Sequence, residues 1–181
     1  QLERDRLLAQ LKHENREYSH YAMSDPLTGI ANRRALMNEL ARALANAARA
    51  GTAIHVAFID LDGFKAINDQ YGHDAGDRFL IAIASALVAG MREGDFVARY
   101  GGDEFVLFGP ATSEAHDASR ATIRQRLQRQ TTGRFSIGTH TIDYAGGSVG
   151  VVTSQANEHD VEGLLARADT GMYEDKKARY I

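Results

Sequence analysis

The sequence has no cysteine, so disulfides and thiolate-bound zinc are excluded, and a reducing compartment is easily tolerated. No apolar run approaches the roughly 20 residues that a membrane helix needs. Residues 1–21 carry charges throughout and lack the build of a signal peptide. These absences lead us to expect a cytoplasmic domain, with any membrane anchor in other parts of a longer protein; a chain opening on Gln1 reads as a fragment of one. There is no basic excess either. Against 24 acidic residues stand 21 Lys and Arg, for a formal net charge of −3. That balance argues against a general DNA or RNA binder. It does not exclude a nucleotide enzyme, because metal ions and a few lysines can offset phosphate charge locally. Internal repeats, low-complexity tracts and a GxxxxGK[ST] phosphate loop are all missing.

What is present suits one globular domain with a full core behind a short appendage: 181 residues, 44% of them hydrophobic and 25% charged. Residues 1–22 read as a polar helix, a linker ahead of a domain over 23–181. Leu7, Leu11, Tyr18 and Tyr21 fall on one stripe at heptad-like spacing, with Glu14 interrupting it. Such a helix either docks, solvated, on the domain or ends a coiled coil that joins two subunits. After the breakers of SDPLTGIAN, Asn32 can cap a helix that ends at Gly51. AIHVAFIDLD is an apolar run closing in acids, as expected of a central buried strand. GFKAINDQYG predicts a short helix and turn, and Asp77 to Met91 an apolar helix. Asp95 to Tyr100 and Glu104 to Phe108 predict a hairpin around Gly101-Gly102. A polar loop from Ser113 to Asp117, a helix over 118–130, a strand pair in HTIDYAGGSVGVVT and a last helix over 160–177 complete an α/β sandwich.

Two acidic clusters carry the chemistry. Asp60-Leu61-Asp62 ends the buried strand, and Asp103-Glu104 follows two glycines, whose backbone can take φ > 0 and let a ligand approach. A lone acidic pair at a strand end is usually just solvated. Two such pairs on neighbouring central strands would need a cation between them, and hard oxygen ligands suit Mg²⁺ or Mn²⁺. Gly63-Phe64-Lys65 opens a helix, where free N–H groups and a lysine favour phosphate. Asn68 and Asp77 flank the Gly-rich YGHDAG segment. Taken alone they read as a turn residue and a helix cap. An ionised Asp77 could instead pair with the N1–H and 2-amino group of guanine.

These segments together resemble the GGDEF domain of bacterial diguanylate cyclases. The resemblance rests on DPLTGIANRR at 25–34, FIDLDGFKAINDQYGHDAGD at 58–77, RYGGDEF at 99–105 and ADTGMYEDKK at 168–177, in the family's order and spacing. It implies a ferredoxin-like sheet of the nucleotidyl-cyclase and polymerase-palm type, flanked by helices. It implies that Asp60, Asp103 and the Leu61 carbonyl bind Mg²⁺ or Mn²⁺. Glu104 would be a further metal ligand or help deprotonate the attacking 3′-hydroxyl. Asn68 and Asp77, with His73 nearby, would hold guanine. Lys65, Lys176 and the Phe64 amide would hold the triphosphate, against a turn kept open by Gly101 and Gly102. Two such domains, each holding one GTP, would have to face each other as a homodimer. Arg92-Glu93-Gly94-Asp95 stands at the family's offset for an RxxD site that binds the product, cyclic di-GMP, as an inhibitor; Arg120 and Arg124 are candidates for completing such a site from a second subunit. The alternative is a catalytically silent domain that binds GTP or cyclic di-GMP as a sensor. The chain departs from the pattern at Tyr180, where the family has an arginine that Arg179 could replace, and at Ala31, a common proline position.

Overall fold

The computed structural model describes residues 1–112 and 114–180, without the side chains of 19–21. The side chain of Tyr21 in the N-terminal stripe, and Ser113 of the expected polar loop, are therefore not described. Helix α1 (Leu2–Tyr21) leads to α2 (Arg33–Ala50), β1 (Ala53–Asp60), α3 (Phe64–Tyr71) and α4 (His73–Ala89). Strands β2 (Phe96–Arg99) and β3 (Glu104–Ala111) follow, then α5 (His116–Thr131), β4 (Thr132–Ile137), β5 (His140–Ala145), β6 (Ser148–Thr153) and α6 (Val161–Arg179). No helix among the described residues is long and apolar enough to cross a membrane.

The main sheet has the order β2-β3-β1-β6, antiparallel at every pairing. With helices between β1 and β2 and between β3 and β6, this is the βαββαβ ferredoxin-like arrangement. Both faces of the sheet are covered, which is why β1 reads as an unbroken apolar run. Ala57, Ile59, Phe105 and Leu107 pack toward α4 and α5, while Val56, Phe58, Val106 and Phe108 pack toward α2 and α6. The α2 ends follow from the sequence. Asn32 Oδ1 accepts from the Ala35 amide at 3.0 Å, and Gly51 stops the helix at φ 68°.

The structure departs from the sequence reading at one helix start and one strand pairing, and it speaks to the two alternatives for α1. Helix α4 starts at His73, not Asp77. Gly72 (φ 90°) makes the break alone: its amide donates to the Asn68 carbonyl at 2.8 Å, and its carbonyl accepts from Gly76 at 3.1 Å. Asp77 is thus inside the helix and does not cap it. In HTIDYAGGSVGVVT both strands exist but do not pair with each other. Strand β5 pairs with β4 in a separate hairpin, and β6 pairs with β1. Strand β4 escapes a reading by hydropathy because TGRFSI carries little apolar surface. Phe135 and Tyr144 of this hairpin meet the Phe79 ring edge-on. Finally, α1 does not dock on the domain: Leu7, Leu11 and Tyr18 are all more than half exposed, and the apolar stripe is uncovered.

Candidate active site

The register between β1 and β3 sets Asp60 directly opposite Glu104, and the Leu61 amide donates to the Asp103 carbonyl at 3.1 Å. Both acidic clusters therefore meet at one end of the two central strands. The electrostatics record the crowding. Burial, then the neighbouring Asp103, pushes the Asp60 carboxyl above its ordinary value, against the pull of Lys176. Burial and then Asp60, Asp103 and Asp169 push Glu104 the same way. Like charges held so close destabilise one another's ionised forms, and a bound cation reverses that.

The donor set fits a hard divalent ion of the Mg²⁺ kind. Among the described residues no three His, Asp or Glu side chains, Asp60, Asp103 and Glu104 included, are grouped so as to hold a metal ion by themselves. That is the expected state for an ion held by one or two carboxylates, a carbonyl and substrate phosphate. Asp60, Asp103 and the Leu61 carbonyl could supply the protein's share. The Leu61 carbonyl already accepts a long bond, 3.3 Å, from the Phe64 amide. Its second lone pair is open to a cation, whereas Phe64 could give its amide to phosphate only by sharing it. Lys176 stands in from α6, with Nζ 3.4 Å from Asp60 Oδ2 and 3.9 Å from Asp62 Oδ1. Burial works against its charge, but Asp60 and Asp62 raise its pKa overall.

The other expected residues lie on α3 and α4. Lys65 and Asn68 share a face of α3, and His73 and Asp77 share a face of α4. The Asn68 side chain lies across the first turn of α4: a Cβ on Gly76 would fall 1.7 Å from Asn68 Oδ1. Asn68 is thus set beside the residue preceding Asp77. Lys65 is exposed and makes no ion pair among the described residues. Gly101 and Gly102 correct one expectation, since neither is among the glycines of positive φ. The turn closes instead through the Glu104 carbonyl, which accepts from Tyr100 at 2.8 Å and Gly101 at 3.3 Å. What the glycines provide is room, and a Cβ at Gly102 would meet nothing within 4 Å.

Some features were not found from the sequence. Arg99 donates to the carbonyls of Gly101 and Gly102 and pairs with Asp25 at 3.2 Å, so the DPLTG loop braces the hairpin. Arg99→Ala should lower stability by about 2 kcal/mol, because it leaves a largely buried Asp25 unpaired. Arg99→Lys should recover less than half, lacking the planar fork. Urea denaturation midpoints read both. Asp62 is buried: Ser148 Oγ donates to its Oδ2 at 2.6 Å, and Arg179 lies 3.6 Å from the same oxygen. Arg179 further donates to the carbonyls of Ala145, Gly146 and Gly147. Its guanidinium is thereby tied to the β5–β6 turn and is not free for phosphate as a replacement at position 180.

The RxxD segment borders a cavity away from the two acidic clusters. The Arg92 amide donates to Asp95 Oδ2 at 2.8 Å, and Arg126 of α5 approaches the same carboxylate at 3.7 Å. These residues line a cavity of about 310 Å³ between α5 and the sheet. Arg120 and Arg124, expected to act from a second subunit, do not line this cavity in their own chain, where Arg120 bonds Thr153 and Asp117. Helical spacing carries the missed signal: Ser119, Thr122, Ile123 and Arg126 fall at i, i+3, i+4 and i+7, on the inward face.

Residues 22–180 match the family model described as "Diguanylate cyclase, GGDEF domain". The chain is 35% identical over 176 residues to diguanylate cyclase DgcP of Escherichia coli, covering 97% of this chain and 51% of that protein. Other curated relatives are longer still, so the chain spans about half their length or less. Among solved structures, a sensory box/GGDEF family protein from Caulobacter crescentus superposes with a TM-score of 0.80 at 34% identity, covering 87% of this chain and 99% of that one. The coiled coil and GGDEF domain of DgcB from the same organism, in complex with c-di-GMP, gives 0.77 at 27% identity and covers 98% and 92%. With four motif blocks in register, the ferredoxin-like sheet and a family match over all but the first 21 residues and the last, the chain belongs to the GGDEF-domain diguanylate cyclase family.

Proposed function

We propose that residues 23–181 form an active diguanylate cyclase domain that converts two GTP into cyclic di-GMP and two pyrophosphates, and that cyclic di-GMP restrains it at the Arg92–Asp95 cavity. The observation that carries this reading is the meeting of Asp60, Asp103 and Glu104 at adjoining strand ends, where Asp103 crowds the charge on Asp60 and both crowd that on Glu104. A bound Mg²⁺ or Mn²⁺ would polarise the 3′-hydroxyl and neutralise charge on the phosphates. The chain's own groups supply the rest. Asn68 and Asp77, with His73 beside them, orient guanine. Lys65 and Lys176 face the triphosphate, and Glu104 takes the proton of the attacking hydroxyl. The 3′-oxygen of one GTP bonds to the α-phosphorus of the other, pyrophosphate leaves with the broken P–O bond, and the second half-reaction mirrors the first. Catalysis is then chiefly positioning and charge stabilisation.

One domain holds one GTP, so two must face each other. The uncovered stripe of α1 suits a coiled coil that sets this geometry. Assaying GTP with Mg²⁺ at several protein concentrations tests the reading. Cyclic di-GMP should form with a rate per subunit that rises with concentration until the dimer is saturated. A folded, dimeric sample that binds guanine nucleotide without turnover would instead be a sensor. Under turnover, Arg92→Ala should keep progress curves linear for longer than wild type; equal curvature in both would remove the inhibitory site.

A further inference from the structure

The turn that carries the Leu61 carbonyl and opens α3 is held from outside the main sheet. The Phe64 amide donates to the Leu61 carbonyl at 3.3 Å, so residues 61–64 form one β-turn with Asp62 and Gly63 at its centre. Gly63 stands at φ 74° and ψ 12°, close to the values of the third residue of a type II turn. Type I and type II turns differ by a flip of the central peptide, here the one that joins Asp62 to Gly63. The Tyr144 hydroxyl of β5 donates to the carbonyl of that peptide, Asp62 C=O, at 2.8 Å.

Tyr144 is built to hold that carbonyl. Its ring is packed edge-on against Phe79, with centroids 4.9 Å apart. Burial, then Asp62, pushes its phenol above the ordinary value, so the hydroxyl keeps the proton it donates. The Asp62 side chain is fixed separately, because Ser148 Oγ donates to it at 2.6 Å. Strand β6 thus anchors the side chain, and β5 the carbonyl. A trans peptide points its C=O and N–H in opposite directions. With the carbonyl turned to Tyr144, the Gly63 N–H points away from the β4–β5 hairpin, and among the described residues it donates to no other group. In a type I turn the same N–H would point toward the hairpin.

We infer that Tyr144 is a positioning residue for the phosphate site: its hydroxyl latches the Asp62–Gly63 peptide in the type II arrangement, which holds the Gly63 N–H out for a triphosphate oxygen and fixes the turn that carries the Leu61 carbonyl. The inference rests on the reading of Gly63-Phe64-Lys65 as the segment that meets phosphate. It gives the β4–β5 hairpin, which stands apart from the main sheet, a purpose in the chemistry: it delivers one hydroxyl to the loop after β1. Groups that orient a binding loop without touching the ligand commonly change affinity as strongly as the ligand's own contacts.

The test is titration of α,β-methylene GTP, whose bridging carbon resists cleavage, into the whole chain with Mg²⁺. Tyr144→Phe keeps the ring and removes only the hydroxyl. Once freed, the central peptide samples both arrangements, and binding falls with the fraction of time spent in the competent one. The analogue should bind Tyr144→Phe about five- to tenfold more weakly than wild type, the effect of one neutral hydrogen bond. Guanosine, which has no phosphate, should bind both proteins alike in NMR titrations. Lys65→Ala is the reference. If it weakens the analogue while Tyr144→Phe binds as wild type, the latch fails and the phosphate site stands. If Tyr144→Phe loses guanosine and analogue equally, the hydroxyl serves only the fold, and the inference fails. If Lys65→Ala binds the analogue as wild type does, the phosphate reading itself fails. Should Tyr144→Phe not fold, nitrogen NMR of the wild type decides: the Gly63 amide resonance should move with the analogue and stay in place with guanosine. Equal movement with both, or none with the analogue, overturns the inference.

Discussion

Asp103→Ala should abolish cyclic di-GMP formation, by on the order of a thousandfold or more, while the melting temperature stays within a few degrees of wild type. The two halves of this expectation have different causes. The turn at 101–103 is held by backbone groups: the Glu104 carbonyl receives two amides, and the Asp103 carbonyl receives the Leu61 amide at 3.1 Å. Alanine retains all of these. The Asp103 carboxylate also raises the pKa of both Asp60 and Glu104, in each case behind burial, so removing it relieves repulsion in the metal-free protein. The activity half follows from the cation: with Asp103 gone, Asp60 and the Leu61 carbonyl are left to hold it, and charge developing at the phosphate loses its stabiliser. Product quantified by chromatography, beside thermal melts, checks the pair. A variant keeping a tenth of wild-type activity would remove Asp103 from the metal site.

The acids were legible in sequence because a strand end is a local event. An apolar run stops, a carboxylate follows, and the period of the strand fixes where it points. The sequence also shows the caps of α2, since Asn32 and Gly51 act within one turn of themselves. What it conceals depends on distant partners. Whether β5 joins β4 or β6 is decided by Phe135 and Tyr144 meeting Phe79, 56 or more residues away in the chain, and nothing inside HTIDYAGGSVGVVT settles it. Arg126 and Arg120 look alike on paper and differ only in which face of α5 they occupy. Gly101-Gly102 misled in a more specific way. Glycine pairs suggest left-handed turns, but this turn closes through one shared carbonyl and uses the missing side chains as space. Arg179, conspicuous as a replacement cation, is tied to three carbonyls contributed by the β5–β6 turn.

The same dependence on distant contacts makes Gly150→Ala the substitution with the largest expected effect on stability. Gly150 lies in β6 opposite Phe58 of β1, and on its open face α6 comes to backbone contact. A Cβ there would fall 2.1 Å from the Met172 nitrogen, 2.3 Å from the Ala168 carbonyl oxygen and 2.5 Å from the Gly171 carbonyl carbon. None of these is a side-chain end that can swing away, so α6 must move as a whole. Overpacking of this kind costs about 3 kcal/mol, which in a domain of this size lowers the melting temperature by roughly 10 °C. Gly171→Ala is the control from the other side of the contact. Its Cβ would stand 3.4 Å from Gly150 Cα, and alanine is favoured over glycine inside a helix. It should change stability by less than about 1 kcal/mol. The consequence reaches the catalytic end, because Lys176 rides on the same helix, five residues beyond Gly171, with its ammonium 3.4 Å from Asp60. Gly150→Ala should therefore lose stability and GTP turnover together, in contrast to Asp103→Ala, which loses turnover alone. A Gly150→Ala protein that melts with wild type would mean that β6 and α6 do not approach as closely as the backbone places them.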